Sequence, residues 1–161
     1  MITNRRQFER DLKAQINLPR RLVVPLHKRA ALEVDRKLVL RTPVDRGAAR
    51  GGWITTVGRP TDRAPAGDDP SGSAAIARNQ AISATIRDFA ISWHQNPLVH
   101  TRVLDEGLFD PSDPGPSKDP RPGRTGRVLV EGGFSTQAPR GMVEVTFREI
   151  EAKYSRIASL L

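Results

Sequence analysis

Three histidines, His27, His94 and His100, are the side chains of this 161-residue chain best suited to acid–base or metal chemistry near neutral pH. Their spacing assembles no site. They fall in different expected elements without an HxxxH or HxH pair, and the chain has no cysteine, so no thiolate metal set or disulfide can form. Surface positions are expected for them, with His94 outward on a strand beside Trp93. The adjacent carboxylates Asp68-Asp69 and Asp105-Glu106 point in different directions beside loop residues, whereas acid–base catalysis needs carboxylates converging on one pocket. They read as solvated turn residues. No serine lies in a GxSxG context, and spacing nominates no His or Asp partner for one. Gly47-Ala48-Ala49-Arg50-Gly51-Gly52 could offer backbone amides to a phosphate. A phosphate loop, however, follows a strand and opens a helix, and here a helix precedes and a strand follows. These glycines are expected to let the chain reverse. The sequence therefore predicts no catalytic residue, no metal or cofactor ligand, and no enzyme.

The elements that must position these residues are one domain's worth: 161 residues with 37% hydrophobic content suit a single α+β domain over 1–161. The expected architecture is a small antiparallel sheet packed against N-terminal, central and C-terminal helices, with long Pro/Gly-rich loops. Phe8, Leu12 and Ile16 recur every four residues and predict a helix over 3–16, capped by Thr3 or Asn4 and broken by Pro19. A second helix is expected from Pro25 to Arg41, with Leu26, Ala30, Val34 and Leu38 as its apolar line and a Glu33–Lys37 pair on its surface. Pro43 ends it.

Gly51 to Gly58 reads as a strand around Trp53, Ile54, Thr55, Thr56 and Val57. Residues 58–72 have six Gly or Pro in fifteen positions and predict a flexible loop. A helix is expected from Ser73 to about Arg87, although Ile82 to Ile86 also fits a strand, and then a strand alternating Phe89, Ile91 and Trp93 up to the Asn96-Pro97 turn. A short helix should run from Leu98 to Glu106 with Gly107 at its end. Residues 110–126 hold five prolines and three glycines in seventeen positions, so a second flexible segment is expected across 108–130. Its flanks, Val103 to Phe109 and Val128 to Phe134, match at five of seven positions. From Pro139 on, Val143, Phe147, Ile150, Tyr154, Ile157 and Leu161 form a helical stripe, with Ser135 or Thr136 as cap and Glu144–Arg148 and Glu149–Lys153 as outer pairs.

Charge is unevenly placed. Net charge is +8, yet residues 1–60 hold 14 Lys/Arg against 5 Asp/Glu, a net +9, and the rest hold 12 against 13. Arg5, Arg6, Arg10, Lys13, Arg20, Arg21, Lys28, Arg29, Arg36 and Lys37 make the N-terminal helices the candidate interface or DNA-facing surface. Solvated helix faces, an acidic protein partner and a phosphate backbone all suit such charges. Base-specific readout is not expected, because no recognised DNA-binding pattern is present and aromatic residues are few. The polar N-terminus and the lack of a continuous apolar stretch predict neither a secretory signal nor a membrane span, and a soluble protein compatible with a reducing cytosol.

Two segments about ninety residues apart carry the most information: Thr42-Pro43-Val44-Asp45-Arg46-Gly47-Ala48-Ala49-Arg50-Gly51-Gly52-Trp53 and Phe134-Ser135-Thr136-Gln137-Ala138-Pro139-Arg140-Gly141-Met142-Val143. With Asn96-Pro97 between them, they resemble the signature of the tail-completion (minor tail component) proteins of long-tailed bacteriophages. In that family a TPVDTGRARGGW-like turn and strand is followed by an NNLPYAEVLENG-like stretch and a QAPAGMV-like helix start. The matching positions are Thr42, Pro43, Val44, Asp45, Gly47, Arg50, Gly52, Trp53, Asn96, Pro97, Gln137, Ala138, Pro139, Met142 and Val143, and the order of elements agrees over most of the chain. The resemblance implies a structural virion protein of the head-to-tail neck, made in the host cytoplasm. Such a subunit would complete or terminate the tail tube as a homohexameric ring, touching the head connector or stopper and the tail tube protein, with passing DNA as a further candidate contact. A basic nucleic-acid-binding module is the alternative expectation.

Overall fold

The computed structural model describes residues 5–109, 130–131, 133–135 and 137–158. It has an α+β architecture dominated by one helix, α1 (Arg5–Arg41), whose second half forms the wall on which the other elements assemble. A four-residue helix, α2 (Ala48–Gly51), leads into β1 (Ile54–Val57), and then come α3 (Ser73–Ser83), β2 (Ser92–Gln95) and α4 (Val99–Glu106). The chain closes with a two-residue pair, β3 (Val130–Glu131) and β4 (Phe134–Ser135), and with α5 (Val143–Ala158). Strands β1 and β2 pair antiparallel with Thr55 opposite His94 and Thr56 opposite Trp93, and β3 pairs with β4. Val34, Leu38 and Val39 of α1 meet Ala49, Trp53, Ala75, Leu104, Ala138, Met142 and Ile150 in one core.

The first correction is that α1 is one helix of 37 residues, running through both Pro19 and Pro25. A proline removes a single N–H and strains one turn at a cost of roughly 3 kcal/mol, and helix-favouring Leu, Arg and Lys residues on both sides keep the remaining rungs. The local cost at Pro19 is therefore not enough to break the helix. Helix α3 stops at Ser83, short of Arg87, and residues 137–142 form turns, so α5 starts at Val143. Gly141, at φ 71, lies in the left-handed region that a helix cannot include.

The second correction is the polarity of β2. Phe89 and Ile91, each 62% exposed, precede the strand, which begins only at Ser92; within it Trp93, 41% exposed, faces outward and Ser92 and His94 face inward, the reverse of the expected arrangement. Alternation identifies two faces but not which one meets the core. Here the inner face meets a buried carboxylate, Asp35 of α1, and a buried anion requires donors that apolar side chains lack.

Helix starts are held by carboxylates from outside the helix, one from the preceding turn and one from a distant element. The Asp69 carboxylate accepts from the amides of Gly72 (2.9 Å) and Ala75 (2.8 Å) at the start of α3, and Asp105 of α4 accepts from those of Met142 (2.6 Å) and Val143 (2.9 Å) at the start of α5. Burial alone would raise the Asp69 pKa, yet bonds from Ala75, Ser71, Gly72 and Ala74 hold it below its ordinary value. Neither aspartate is a free turn residue as expected. Ser135 does not cap α5; its hydroxyl accepts from the Gln137 amide (3.2 Å), and Thr136 lies outside the described residues. Loop 58–72 is thereby anchored at Asp69, and most of segment 108–130 lies outside the described residues, as does Leu161.

On the α1–α5 face, the local pairs expected at Glu33–Lys37 and Glu149–Lys153 give way to bonds between helices. Lys37 and Arg41 both reach Glu149 (2.6 Å each), and Lys153 reaches Glu33 (2.5 Å). Arg41 and then Lys37 hold the Glu149 carboxyl down at about 2. Glu144–Arg148 forms as expected. Phe147 of the expected stripe is exposed, and Thr146 is buried instead, its hydroxyl taking a bond from Arg41 (2.9 Å).

Candidate functional site

The two separated motif segments meet in space. The amide of Val44 donates to the side-chain oxygen of Gln137 (2.9 Å), and the Gln137 amide nitrogen donates back to the Val44 carbonyl (3.4 Å). This two-ended clasp uses the full amide of glutamine, acceptor and donor together. Around it, Thr42 is fully buried, donates to Leu38 O (2.7 Å) and accepts the Trp53 indole N–H (2.6 Å). Arg50 folds back over the C-terminus of α1 and donates to the carbonyls of Thr42 (2.9 Å) and Leu40 (3.3 Å), and across to Pro70 (2.9 Å). Those carbonyls have no intrahelical partner, and the helix end favours a cation. Burial lowers the Arg50 pKa, with Asp69 opposing.

Asn96 donates to Ala49 O (2.7 Å) and accepts from the Leu98 amide (3.2 Å), fixing the turn after β2 to α2. Gly47 has φ 104, and a Cβ there would come within 2.3 Å of the Pro70 nitrogen. Only glycine fits that approach. Pro43, Ala138 and Met142 are buried, Val44 and Val143 half-buried, and Asp45 and Pro139 exposed. The motif residues thus build one junction beyond the C-terminal end of α1. A cavity of about 290 Å³ opens on it, lined by Pro43, Val44, Asp45, Arg46, Gly47, Ala48, Ala49, His100, Val103, Leu104, Phe109 and Gln137.

The opposite end of α1 is built differently. Every described side chain from Gln7 to Val23 is exposed, including Phe8 (48%), Leu12 (44%), Leu18, Leu22 and Val23. Arg10, Lys13, Arg21, Arg29 and Arg36 are exposed, and Arg10 donates to Gln7 (2.8 Å). Lys28 is committed to Ala84 O (2.7 Å) and Lys37 to Glu149, so these two candidate interface residues hold the chain's own body. The side chains of Arg5, Arg6 and Arg20 lie outside the description, although their backbone belongs to α1.

Where α1 meets the body, a buried polar chain appears that spacing did not suggest. His27 Nε2 lies 2.9 Å from Ser92 Oγ, Ser92 Oγ lies 3.4 Å from His94 Nε2, and His94 Nδ1 lies 2.8 Å from Asp35 Oδ1. Thr55 also donates to Asp35 Oδ1, and Ser83 to Oδ2 (3.3 Å). His94 is therefore buried, not outward as expected. The directions are self-consistent: a neutral His27 donates to Ser92, Ser92 to His94, and His94 to the carboxylate. Burial, and then the neighbouring His94, lowers the His27 pKa. The order of serine, imidazole and carboxylate is that of an activated nucleophile, but the Ser92–His94 distance is long, and His27 occupies the serine oxygen from the other side. Its geometry suits a structural spine joining α1, β1, β2 and α3. The serine and the second histidine sit two apart on one strand, the single local signal that could have linked them.

Among the described residues there is no group of three or more His, Asp or Glu placed to hold a metal ion, and no helix is long and apolar enough to cross a membrane. No protein-family model matches this chain, and no curated protein or solved structure matches it.

Proposed function

We propose that the chain is a structural subunit of the head-to-tail neck of a long-tailed bacteriophage. It would complete or terminate the tail tube and join it to the head connector or stopper as a ring, with six copies as the expected number. The observation that carries the reading is the first half of α1, a helical arm whose described apolar side chains, Phe8, Leu12, Leu18, Leu22 and Val23, are exposed among the described residues. Exposed apolar rows of this kind mark interaction surfaces, and a helix of that length with no packed face is marginal in water. The clasp between Val44 and Gln137 supports the same reading, since it makes one structural unit of the two segments on which the family resemblance rests. In this role the protein acts mechanically, without turnover or cofactor, in the virion.

Mass photometry of the purified full chain, with electron microscopy of virions, tests it. The expected result is a closed oligomer located at the neck, and a strictly monomeric protein absent from particles would overturn it. The exposed arginines and lysine of α1 favour a second reading, a nucleic-acid-binding module. Titration of duplex DNA at two salt concentrations separates the two, because phosphate-driven binding weakens steeply with added salt.

A further inference from the structure

We infer that β2 of one copy pairs edge to edge with β2 of a second copy, antiparallel about a two-fold axis at Trp93, joining their two-stranded sheets into one. The contact goes beyond the ring reading above and does not depend on it: a two-fold pairing closes a dimer, and applied to a ring it joins two rings.

The observation is an open row of backbone groups. The Gly58 amide donates to Ile91 O (2.8 Å), and hydrogen-bonded pairs alternate along an antiparallel ladder. Thr56–Trp93 and Ile54–Gln95 therefore exchange bonds too, and Ser92 and His94 direct their N–H and C=O groups away from β1. Among the described residues, no group takes them. Solvent reaches this row: the His94 side chain is 6% exposed, yet the residue as a whole is half-buried, so its open part is main chain.

The other edge of the sheet is closed. There the Thr55 amide donates to Asn79 Oδ1 (3.2 Å), and Trp53 O accepts from Asn79 (3.1 Å) and Arg78 (2.8 Å), so α3 occupies the main-chain groups that a further strand would need. Head-to-tail extension, β2 of one copy onto β1 of the next, is thereby blocked. A second β2 is the strand that remains.

That strand is complementary to itself. With the axis at Trp93, Ser92 of each copy faces His94 of the other, and each of these pairs exchanges two main-chain bonds, about four in all. Trp93 meets Trp93 of the second copy at the close, non-hydrogen-bonded position, where aromatic cross-strand pairs are favourable, and the exposed Ile91 faces Gln95. Natural edge strands are commonly blunted by charge, proline or a bulge. Residues 89–96 contain no Lys, Arg, Asp, Glu or Pro, and the register of β2 on β1 runs without a bulge. Self-pairing therefore brings no like charges together.

The absence of cysteine makes the register directly testable. Full-length Trp93→Cys, oxidised with diamide, should give about tenfold more covalent homodimer than Ile91→Cys, because the axis sets the two 93 positions face to face and the two 91 positions about 13 Å apart along the strands, beyond disulfide reach. The wild type reports the same contact should Trp93→Cys fail to fold: exchange of the Ser92 and His94 amides, followed by NMR, should slow as protein concentration rises. Trp93→Lys, which sets two cations face to face, should abolish that slowing and halve the assembly mass in mass photometry while leaving the circular-dichroism spectrum unchanged. Equal linking at 91 and 93, or exchange that ignores concentration, overturns the inference. Amides that slow only in assembled particles give the edge to a different protein and overturn it too. A ring at the neck held by other surfaces survives each of these failures.

Discussion

Between residues 25 and 41, helix α1 sinks Val34, Leu38 and Val39 into the core and ties Lys28 to Ala84, just past α3, and Lys37 and Arg41 to Glu149 of α5; over residues 5–23 the same helix leaves Phe8, Leu12, Leu22 and Val23 exposed. Both halves are basic, and both place apolar residues about every four positions. The difference lies in where the covering surface is found. The second half is covered by its own chain, and among the described residues the first half finds no such cover. A hydrophobic stripe records that a helix will be covered, not whether the cover belongs to the same chain.

Four substitutions or conditions would sharpen or break this contrast. The largest effect is expected at Asp35, whose removal strands the donors of Thr55, Ser83 and His94: Asp35→Ala should cost about 3–5 kcal/mol in urea unfolding, as loss of one partner from a buried charged network does. A cost below about 1 kcal/mol would show that the packed half of α1 does not depend on the polar spine. Next, Gly47→Ala forces a left-handed φ and a backbone collision at the turn that closes the packed half. Roughly 1–3 kcal/mol is expected from the backbone strain alone, read as a lowered thermal midpoint. Unchanged stability would mean that the junction is looser than the contact implies.

Acidification should act at the boundary between the halves. The folded state holds His27 below its ordinary pKa, so the unfolded chain binds more protons as pH falls through about 6.5, and stability must decline there. His27→Gln should flatten that decline in denaturation series between pH 7.5 and 5.5. Glu149 adds a separate loss further down: its folded pKa is depressed, so its contribution, present above the ordinary glutamate value, disappears as pH falls from about 4.5 toward about 2. The smallest effect belongs to the arm. Leu12→Ser should change the stability of the isolated subunit by no more than about 0.5 kcal/mol while weakening its assembly. A large loss of subunit stability would show that the arm is packed within its own chain.

Much of the architecture could be read from local patterns. The helix ends at Arg41 and Glu106, the strand after Trp53, the Asn96-Pro97 turn and the body of α5 follow from Pro, Gly and periodicity, because those signals act within a few residues. The candidate site was legible only in pieces. Thr42 to Trp53 read correctly as a chain reversal, but nothing local says that Gln137 closes on Val44 across ninety-three residues, or that Arg50 caps the helix ten residues before it. Reading His94 as outward followed from the apolar run at Phe89, Ile91 and Trp93. That reading had no access to Asp35, fifty-nine residues away, which draws the polar face inward.

Composition, charge placement and short-range spacing therefore establish an α+β chain with a basic N-terminal helical region and without thiol chemistry, because each of these properties is a sum or a neighbour relation along the chain. The continuity of α1 through two prolines, the inward turn of Ser92 and His94, and the meeting of the two motif segments depend on groups distant in sequence. Their energies exist only once the chain has folded, when a buried carboxylate finds its donors and an orphan helix carbonyl finds its arginine.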